Sequence, residues 1–505
     1  MQLFISAGLI LLVVLWGLLS PTTLDAVFGT ALSAITQNFG WFYLWIVLGI
    51  VVLAFYLAFS RYGNLKLGAE DEEPEFSVGA WFAMLFAAGM GIGLVFWGVA
   101  EPLSHFASPP PGIEAASPQA AQAAMRYSFF HWGLHPWAIY GIVALAIGFF
   151  QYRRKLPALV GSSAEALPWA PARKLGPAFN VLATIATAFG VATSLGLGAS
   201  QITSGLSMVF GAPDTVSTQV IVIIVTSVLF ITSAVSGVER GVKWLSIGNL
   251  ILAGLLALAV FAFGPTVAIM KTFTSTLGAY VGDFVGMSLR MSPFRESSWV
   301  SDWTIFYWAW WVSWSPFVGV FIARVSRGRT IRQFMVGTVL APTLVGFAWF
   351  SVFGGAGLNF EMFQGLPLGD AVKNNVSTTL FVMFQGMPMT TLLSIAATLL
   401  VMVFFVTSGD SATLVLGTMS TGGKFNPPAK VKIIWGVLIS GIAISLLLAG
   451  GLKAVQTATI VFALPFALVL LVMAVSVTIA IREDWTAQDQ RDKELRRKMR
   501  DLVNA

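Results

Sequence analysis

Aromatic rings at helical spacing are the residues of this chain that most directly suggest chemistry. Phe306, Trp310, Trp314 and Phe317 follow one another at intervals of four, four and three, so a helix carries them on one face with Trp311 beside it. Trp132, Trp137 and Tyr140 form a second group near Pro136. Ring faces attract a cation, each well-placed ring contributing roughly 0.5–2 kcal/mol, and a cation that has no N–H to donate is the one best served by such a cage. Interfacial tryptophan belts and plain ring packing are the competing explanations. The first group, however, runs through the middle of its apolar stretch and not along its ends.

A second kind of chemistry belongs to the backbone. In Ala87-Ala88-Gly89-Met90-Gly91-Ile92-Gly93, three glycines at alternate positions can unwind a helix and expose carbonyls and amides. Within a membrane such backbone is tolerated only where it lines a cavity or is buried in protein. The same glycines can equally serve close helix packing. Pro316, in Trp314-Ser315-Pro316-Phe317, predicts a further break, because it removes an amide and frees a carbonyl one turn earlier. Thr407 and Ser408, in Phe404-Phe405-Val406-Thr407-Ser408-Gly409-Asp410-Ser411, offer adjacent hydroxyls to a hard cation that wants oxygen ligands. Back-bonding of those hydroxyls to their own helix is the alternative. His131 and His135 have no carboxylate at ligand spacing and read as structural. The chain has no cysteine, and no zinc-protease, nucleophile-elbow or phosphate-loop pattern, so it does not read as an enzyme.

The elements that must hold these residues are transmembrane helices. Hydrophobic residues make up 57% of the 505 and charged residues 10%, with a mean hydropathy of +0.81. Apolar runs of about 20 residues suffice to cross a hydrocarbon core of roughly 30 Å. Twelve such segments are expected, at 2–19, 41–59, 78–100, 129–150, 178–200, 218–236, 244–264, 303–323, 333–354, 390–416, 431–449 and 454–481. The first begins directly after Met1, without a basic leader or a clear cleavage site, and reads as a retained helix. Of the 29 Lys and Arg, 23 lie in the loops after even-numbered segments or in the tail. The other six are Arg126, Lys271, Arg290, Arg295, Lys373 and Lys453, so both termini are expected in the cytoplasm. The net charge of +6 is thus a signal of topology, not of nucleic-acid binding. One integral domain, 1–481, is followed by a charged tail, 482–505, whose Arg496, Arg497, Lys498 and Arg500 either are solvated or meet anionic lipid. The long connections 265–302 and 355–389 suit interfacial helices or lids. Segments 3 and 8 carry the glycine and proline interruptions and stand five apart, as the first members of two five-helix halves would.

Together these strings resemble the betaine/choline/carnitine transporter family over essentially the whole chain. Gly89-Met90-Gly91-Ile92-Gly93, His131-Trp132-Gly133-Leu134-His135-Pro136-Trp137, and Asp302-Trp303-Thr304 through Trp314-Ser315-Pro316-Phe317 carry the resemblance. It implies an all-α polytopic membrane protein with a LeuT-like core about 78–481, segments 3–7 and 8–12 being inverted repeats and segments 1 and 2 an addition. A homotrimer in the bacterial inner membrane is also implied. The implied substrate lining is Ala88, Met90, Gly93, Trp132, Trp137, Tyr140, Phe306, Trp310, Trp311 and Trp314. Sodium, the implied coupling ion in the absence of any other cofactor, would take the carbonyls of Ala87, Met90 and Phe404 and the hydroxyls of Thr407 and Ser408. A second sodium would involve Thr187 and Phe317, but the partner threonine of the family pattern is here Val191, which has no side-chain oxygen.

The resemblance therefore implies a sodium symporter for a small zwitterion. A glycine at position 93 goes with betaine-like zwitterions in the family and an acidic residue with choline, which agrees with the charge a zwitterion already carries. Glycine betaine comes first, ahead of carnitine, dimethylsulfoniopropionate, proline and ectoine. Proton-coupled transport, exchange of choline or carnitine, an amino-acid symporter on the same fold and a channel built from the same broken helices stay open at this point.

Overall fold

A computed structural model describes residues 2–503 except 90, 238, 295 and 296, without the side chains of 86–89 and 239–243. Among the described residues there is no strand, and ten helices are long and apolar enough to cross a membrane. Helices are what such a sequence must form, because a bilayer offers no water to pair a free amide or carbonyl. The first half of the chain runs α1 (Gln2–Leu19), α2 (Pro21–Phe59), α3 (Val78–Gly89), α4 (Ile92–Ala107), α5 (Pro118–Trp132), α6 (Leu134–Tyr152), the short α7 (Ala170–Arg173), α8 (Gly176–Phe210) and α9 (Val216–Ser236). The second half runs α10 (Glu239–Phe263), α11 (Thr266–Gly282), α12 (Phe284–Ser288), α13 (Phe306–Val325), α14 (Ile331–Gln364), α15 (Leu368–Asn374), α16 (Thr379–Phe384), α17 (Thr390–Ser420) and α18 (Ala429–Val503).

Several expected boundaries and breaks are corrected. The second segment was placed at 41–59, yet α2 begins at Pro21, in the first turn, where proline's missing amide costs nothing. At 39 residues α2 is far longer than a crossing requires. The third segment, placed at 78–100, is two helices, with Gly91 extended between them (φ −141, ψ −152), and its second half continues to Ala107. The fourth, expected as one segment at 129–150, is interrupted at Gly133 (φ −91, ψ −133). Pro136 sits in the first turn of α6, where no amide is needed. The proline break expected in the eighth segment is absent, because α13 runs straight through Pro316. Pro316 cannot donate to Val312, but the Ser315 hydroxyl does so at 2.7 Å and keeps that carbonyl paired. The irregularity lies earlier, as a π-helical turn at Ser301–Ile305 leading into α13. Segments eleven and twelve, by contrast, part where expected: within Ala429–Val503 the backbone leaves the helical region at Gly450 and Gly451, the latter at φ 64, a region that favours glycine. The helix then continues beyond 481 to Val503.

Core and periphery separate clearly. The most apolar windows of Pro118–Tyr152 and Gly176–Phe210 are 94% and 89% buried, whereas that of α1 is 22% buried. Within the core α8 packs against α17 and α18, α13 against α6, and α14 against α4. These contacts bring both ring groups and the glycine interruption to one place.

Candidate functional site

The two aromatic groups converge. Trp132, the last residue of α5, meets Trp311 at 4.8 Å and Trp310 at 6.2 Å between ring centroids, both edge to face. Trp310 and Trp311 stack at 4.8 Å. Tyr140 lies 6.2 Å from Trp311 and 5.6 Å from Trp137. Phe306 stacks on Trp310 at 5.7 Å, Trp310 meets Trp314 at 6.5 Å, and Trp314 meets Phe317 at 5.4 Å. Of the expected substrate lining, Trp132, Trp137, Tyr140, Phe306, Trp310, Trp311 and Trp314 therefore form one connected, buried cluster. Position 93 closes it, because a Cβ built there would lie 2.7 Å from Trp310 Cη2 and 3.0 Å from Trp132 Cη2. Glycine is what lets α4 approach the rings so closely. Ala88 and Met90, also expected here, lie outside the residues described with side chains. Trp310 Nε1, Trp314 Nε1 and the Tyr140 hydroxyl are buried without a hydrogen-bond partner among the described residues. Trp311 Nε1, by contrast, donates to the His131 carbonyl at 2.9 Å, which fixes its plane.

The break in the fourth segment is held from the side. The Leu134 amide, at the start of α6, donates to the Tyr280 hydroxyl of α11 at 3.3 Å. His135 stacks on Phe284 at 4.8 Å, and its Nε2 lies 2.9 Å from Ser288 Oγ. The 265–302 connection thus supplies α11 and α12 as supports for the junction that aims Trp132.

Oxygen donors gather on α17. The Thr407 hydroxyl donates to Val403 O at 2.9 Å and Phe404 O at 3.4 Å, the back-bonding alternative, which leaves its oxygen lone pairs able to meet a cation. Ser408 Oγ lies 4.0 Å from the Cβ position of Gly91, so the interruption between α3 and α4 faces this hydroxyl. Ala87 and Met90 again lie outside the residues described with side chains. On α8, the Thr187 hydroxyl is buried with no partner among the described residues, and Val191 is buried on the same helix. One turn from Thr187, Gly190 packs against Ser313 and Trp314 of α13, which also carries Phe317.

One group escaped the sequence reading. Glu101 of α4 is fully buried, and its Oε1 lies 2.7 Å from His131 Nδ1 and 3.2 Å from His105 Nε2. Its Oε2 accepts from Trp132 Nε1 at 2.7 Å and from the Tyr307 hydroxyl at 2.5 Å. His131 Nε2 in turn lies 3.0 Å from Thr304 Oγ1. His131, which has no carboxylate at ligand spacing along the sequence, receives one from another helix 30 positions upstream. The signal was present: an ionisable residue inside a crossing is a functional-site candidate by default. Ending the third segment at residue 100 placed Glu101 just outside it. One ligand atom from each of Glu101, His105 and His131 lies within 4.8 Å of the others, a spacing that suits a metal ion. Hydrogen bonds already fill both carboxylate oxygens, so the arrangement is that of a satisfied polar network.

Comparison with known proteins gives the same answer from another direction. The model of the BCCT family, described as betaine/carnitine/choline family transporter, matches residues 2–486. The glycine betaine transporter OpuD of Bacillus subtilis (strain 168) is 48% identical over 92% of this chain and 90% of its own length. An ectoine/hydroxyectoine transporter of Virgibacillus pantothenticus is 45% identical over 94% of this chain and 95% of its own. A probable glycine betaine transporter of Desulfitobacterium hafniense (strain Y51) is 44% identical over 95% and 97%. Likeness of this size, running through every membrane crossing, admits one assignment: the chain belongs to the betaine/carnitine/choline transporter family and moves solutes across a membrane in place of catalysing a reaction.

Proposed function

We propose that this protein is a secondary active symporter that imports a quaternary-ammonium zwitterion, glycine betaine first, on the sodium gradient by alternating access. The observation that carries the substrate is the cluster of Trp132, Trp310 and Trp311, with Gly93 closing one side. Ring faces meet a trimethylammonium group without asking it for hydrogen bonds. Relatives described as glycine betaine transporters support the same choice. Sodium is proposed at the carbonyls of Ala87, Met90 and Phe404 and the hydroxyls of Thr407 and Ser408, in keeping with the approach of Ser408 to Gly91. A second sodium at Thr187 and Phe317 would do without the side-chain oxygen that Val191 replaces. The proposed architecture is a LeuT-like inverted repeat within residues 78–481, in an integral domain 1–481 with a charged tail 482–505. The proposed assembly is a homotrimer in lipid of the bacterial inner membrane, both termini cytoplasmic.

Ectoine is a second reading, favoured by the relative described as an ectoine/hydroxyectoine transporter at 45% identity. Uptake by proteoliposomes of labelled glycine betaine, ectoine, choline and carnitine, with and without an inward sodium gradient, separates these readings. Accumulation of glycine betaine above equilibrium only with sodium is expected. Equilibration without accumulation would mean a channel. Accumulation on a pH gradient in potassium salts would mean proton coupling.

A further inference from the structure

Glu101 is an ionisable residue fully buried where charge is costly, and its partners indicate its use. We infer that its carboxylate is the fixed negative charge of the substrate site, acting through Trp132 and Tyr307 without touching the substrate. The inference rests on the betaine-type reading of the ring cluster and names the residue that sets its charge preference.

The donor set fits the ionised carboxylate. An indole N–H can only donate, so Oε2 must accept from Trp132, and the Tyr307 hydroxyl fills its other lone pair. On Oε1 the neighbours are His131 Nδ1 and His105 Nε2, each able to serve as an N–H donor, while His131 Nε2 lies 3.0 Å from Thr304 Oγ1. The basic groups in contact with the carboxylate are these two imidazoles, with no Lys or Arg among the described residues. A buried carboxylate with four donors is stabilised, but its charge still acts across its surroundings, which are low in dielectric.

Those surroundings are the cage. Trp132 has its Nε1 edge on Glu101 and its Cη2 edge at Gly93, so its ring spans from the anion to the proposed substrate position. A charge-assisted hydrogen bond from the indole N–H increases the electron density of the ring face that would meet the cation. Tyr307 stacks on Trp311 at 5.7 Å and extends the same influence to the second indole. Because donors saturate the carboxylate, it has no lone pair to offer an N–H of the ligand. A primary or secondary ammonium brings two or more N–H groups and meets one unpartnered hydroxyl in the ring cluster among the described residues, that of Tyr140, so it gains less than a quaternary ammonium. The site is thereby selective for charge and for methylation together.

The test measures ratios, which a purely structural role would leave unchanged. Binding of glycine betaine, of its uncharged-headgroup isostere 3,3-dimethylbutanoate, and of sarcosine is measured by tryptophan fluorescence and calorimetry on the purified full-length protein. Glu101→Gln is expected to shrink the preference for glycine betaine over 3,3-dimethylbutanoate at least tenfold, and Glu101→Asp to keep it within about threefold of the parent protein. Loss of both ligands in equal proportion in Glu101→Gln, or no change, would overturn the inference while leaving the betaine reading intact. Tyr307→Phe provides an independent arm should the glutamine variant not fold. It keeps the carboxylate but removes the hydroxyl that links it to the ring stacked on Trp311, so the preference for glycine betaine over 3,3-dimethylbutanoate is expected to fall severalfold. An unchanged ratio there would overturn the proposed action through Tyr307. Absence of any quaternary-ammonium binding by the parent protein would overturn the betaine reading and this inference with it.

Discussion

Individual residues decide what the ring cluster can hold. Trp311 contributes its face to a stacked pair and is oriented by its bond to the His131 carbonyl. Trp311→Ala is expected to weaken glycine betaine binding by more than tenfold, the equivalent of about 2 kcal/mol for one desolvated ring, and Trp311→Phe to retain part of it. Calorimetry showing parental affinity in the alanine variant would remove that ring from the site. Gly93 acts by absence: a methyl group there meets Trp310 and Trp132 inside normal contact distance. Gly93→Ala should therefore lower affinity by displacing rings, without altering the ranking of substrates. Gly93→Asp should add a shift from glycine betaine toward choline, since its carboxylate repels one and pairs with the other. Competition assays in which both variants rank the ligands identically would show that charge at this position is not read. For the ion, Thr407→Ala with Ser408→Ala should raise the sodium concentration needed for uptake at least tenfold. Substrate and sodium affinities should fall together, because coupling between two binding sites is reciprocal. Uptake whose sodium dependence is unchanged would move the ion elsewhere.

Elements position these residues through small repairs to the backbone. The α13 helix keeps its line past Pro316 because Ser315 takes over the Val312 carbonyl. Removing that hydroxyl leaves a buried acceptor unpaired, which costs about 1–3 kcal/mol. Ser315→Ala is accordingly expected to lower the melting temperature of the purified protein and to weaken substrate binding, since Trp314 precedes the repaired turn directly. A melting curve and affinity equal to those of the parent would mean that the carbonyl finds another partner. The junction of α5 and α6 uses a different device, with Tyr280 of α11 taking the Leu134 amide, which as the first of α6 has no acceptor within its helix. Both repairs lie within one or two residues of a tryptophan in the cluster, so a helix irregularity and a ring orientation are set together.

At the scale of the whole molecule, charged contacts organise one end. Arg153 pairs with Asp484 at 2.8 Å, Arg154 with Glu483 at 2.9 Å, and the Arg61 guanidinium lies 4.1 Å above the Trp485 ring. The start of the terminal extension of α18 is thereby fastened to the ends of α2 and α6. Arg327 is bonded to Glu72, and Leu67 donates to the Arg329 carbonyl at 2.8 Å, so the connections after α2 and α13 meet as well. All of these segments carry the excess of Lys and Arg, which is the basis for proposing that this end faces the cytoplasm. The absence of native cysteine makes the proposal simple to test. Leu502→Cys, at an exposed position of the terminal helix, should react with a membrane-impermeant maleimide in inside-out vesicles and not in intact cells. Labelling in intact cells would reverse the orientation.

Hydropathy alone determined the class and most of the crossings, because a run of apolar residues long enough to span a bilayer has few other stable states. Ring spacing along one helix likewise placed Phe306, Trp310, Trp314 and Phe317 together, since periodicity is a local property. Three matters were decided only in three dimensions. Pro316 does not break its helix, because a neighbouring hydroxyl substitutes for the missing amide, and proline content alone carries no record of that bond. The fourth segment, one continuous apolar run in the sequence, is interrupted at Gly133, and hydropathy does not register a change of backbone angle at a single glycine. Glu101 joins His131, Trp132 and Tyr307 across three helices, and hydrogen bonds between helices depend on how the bundle packs, not on spacing along the chain.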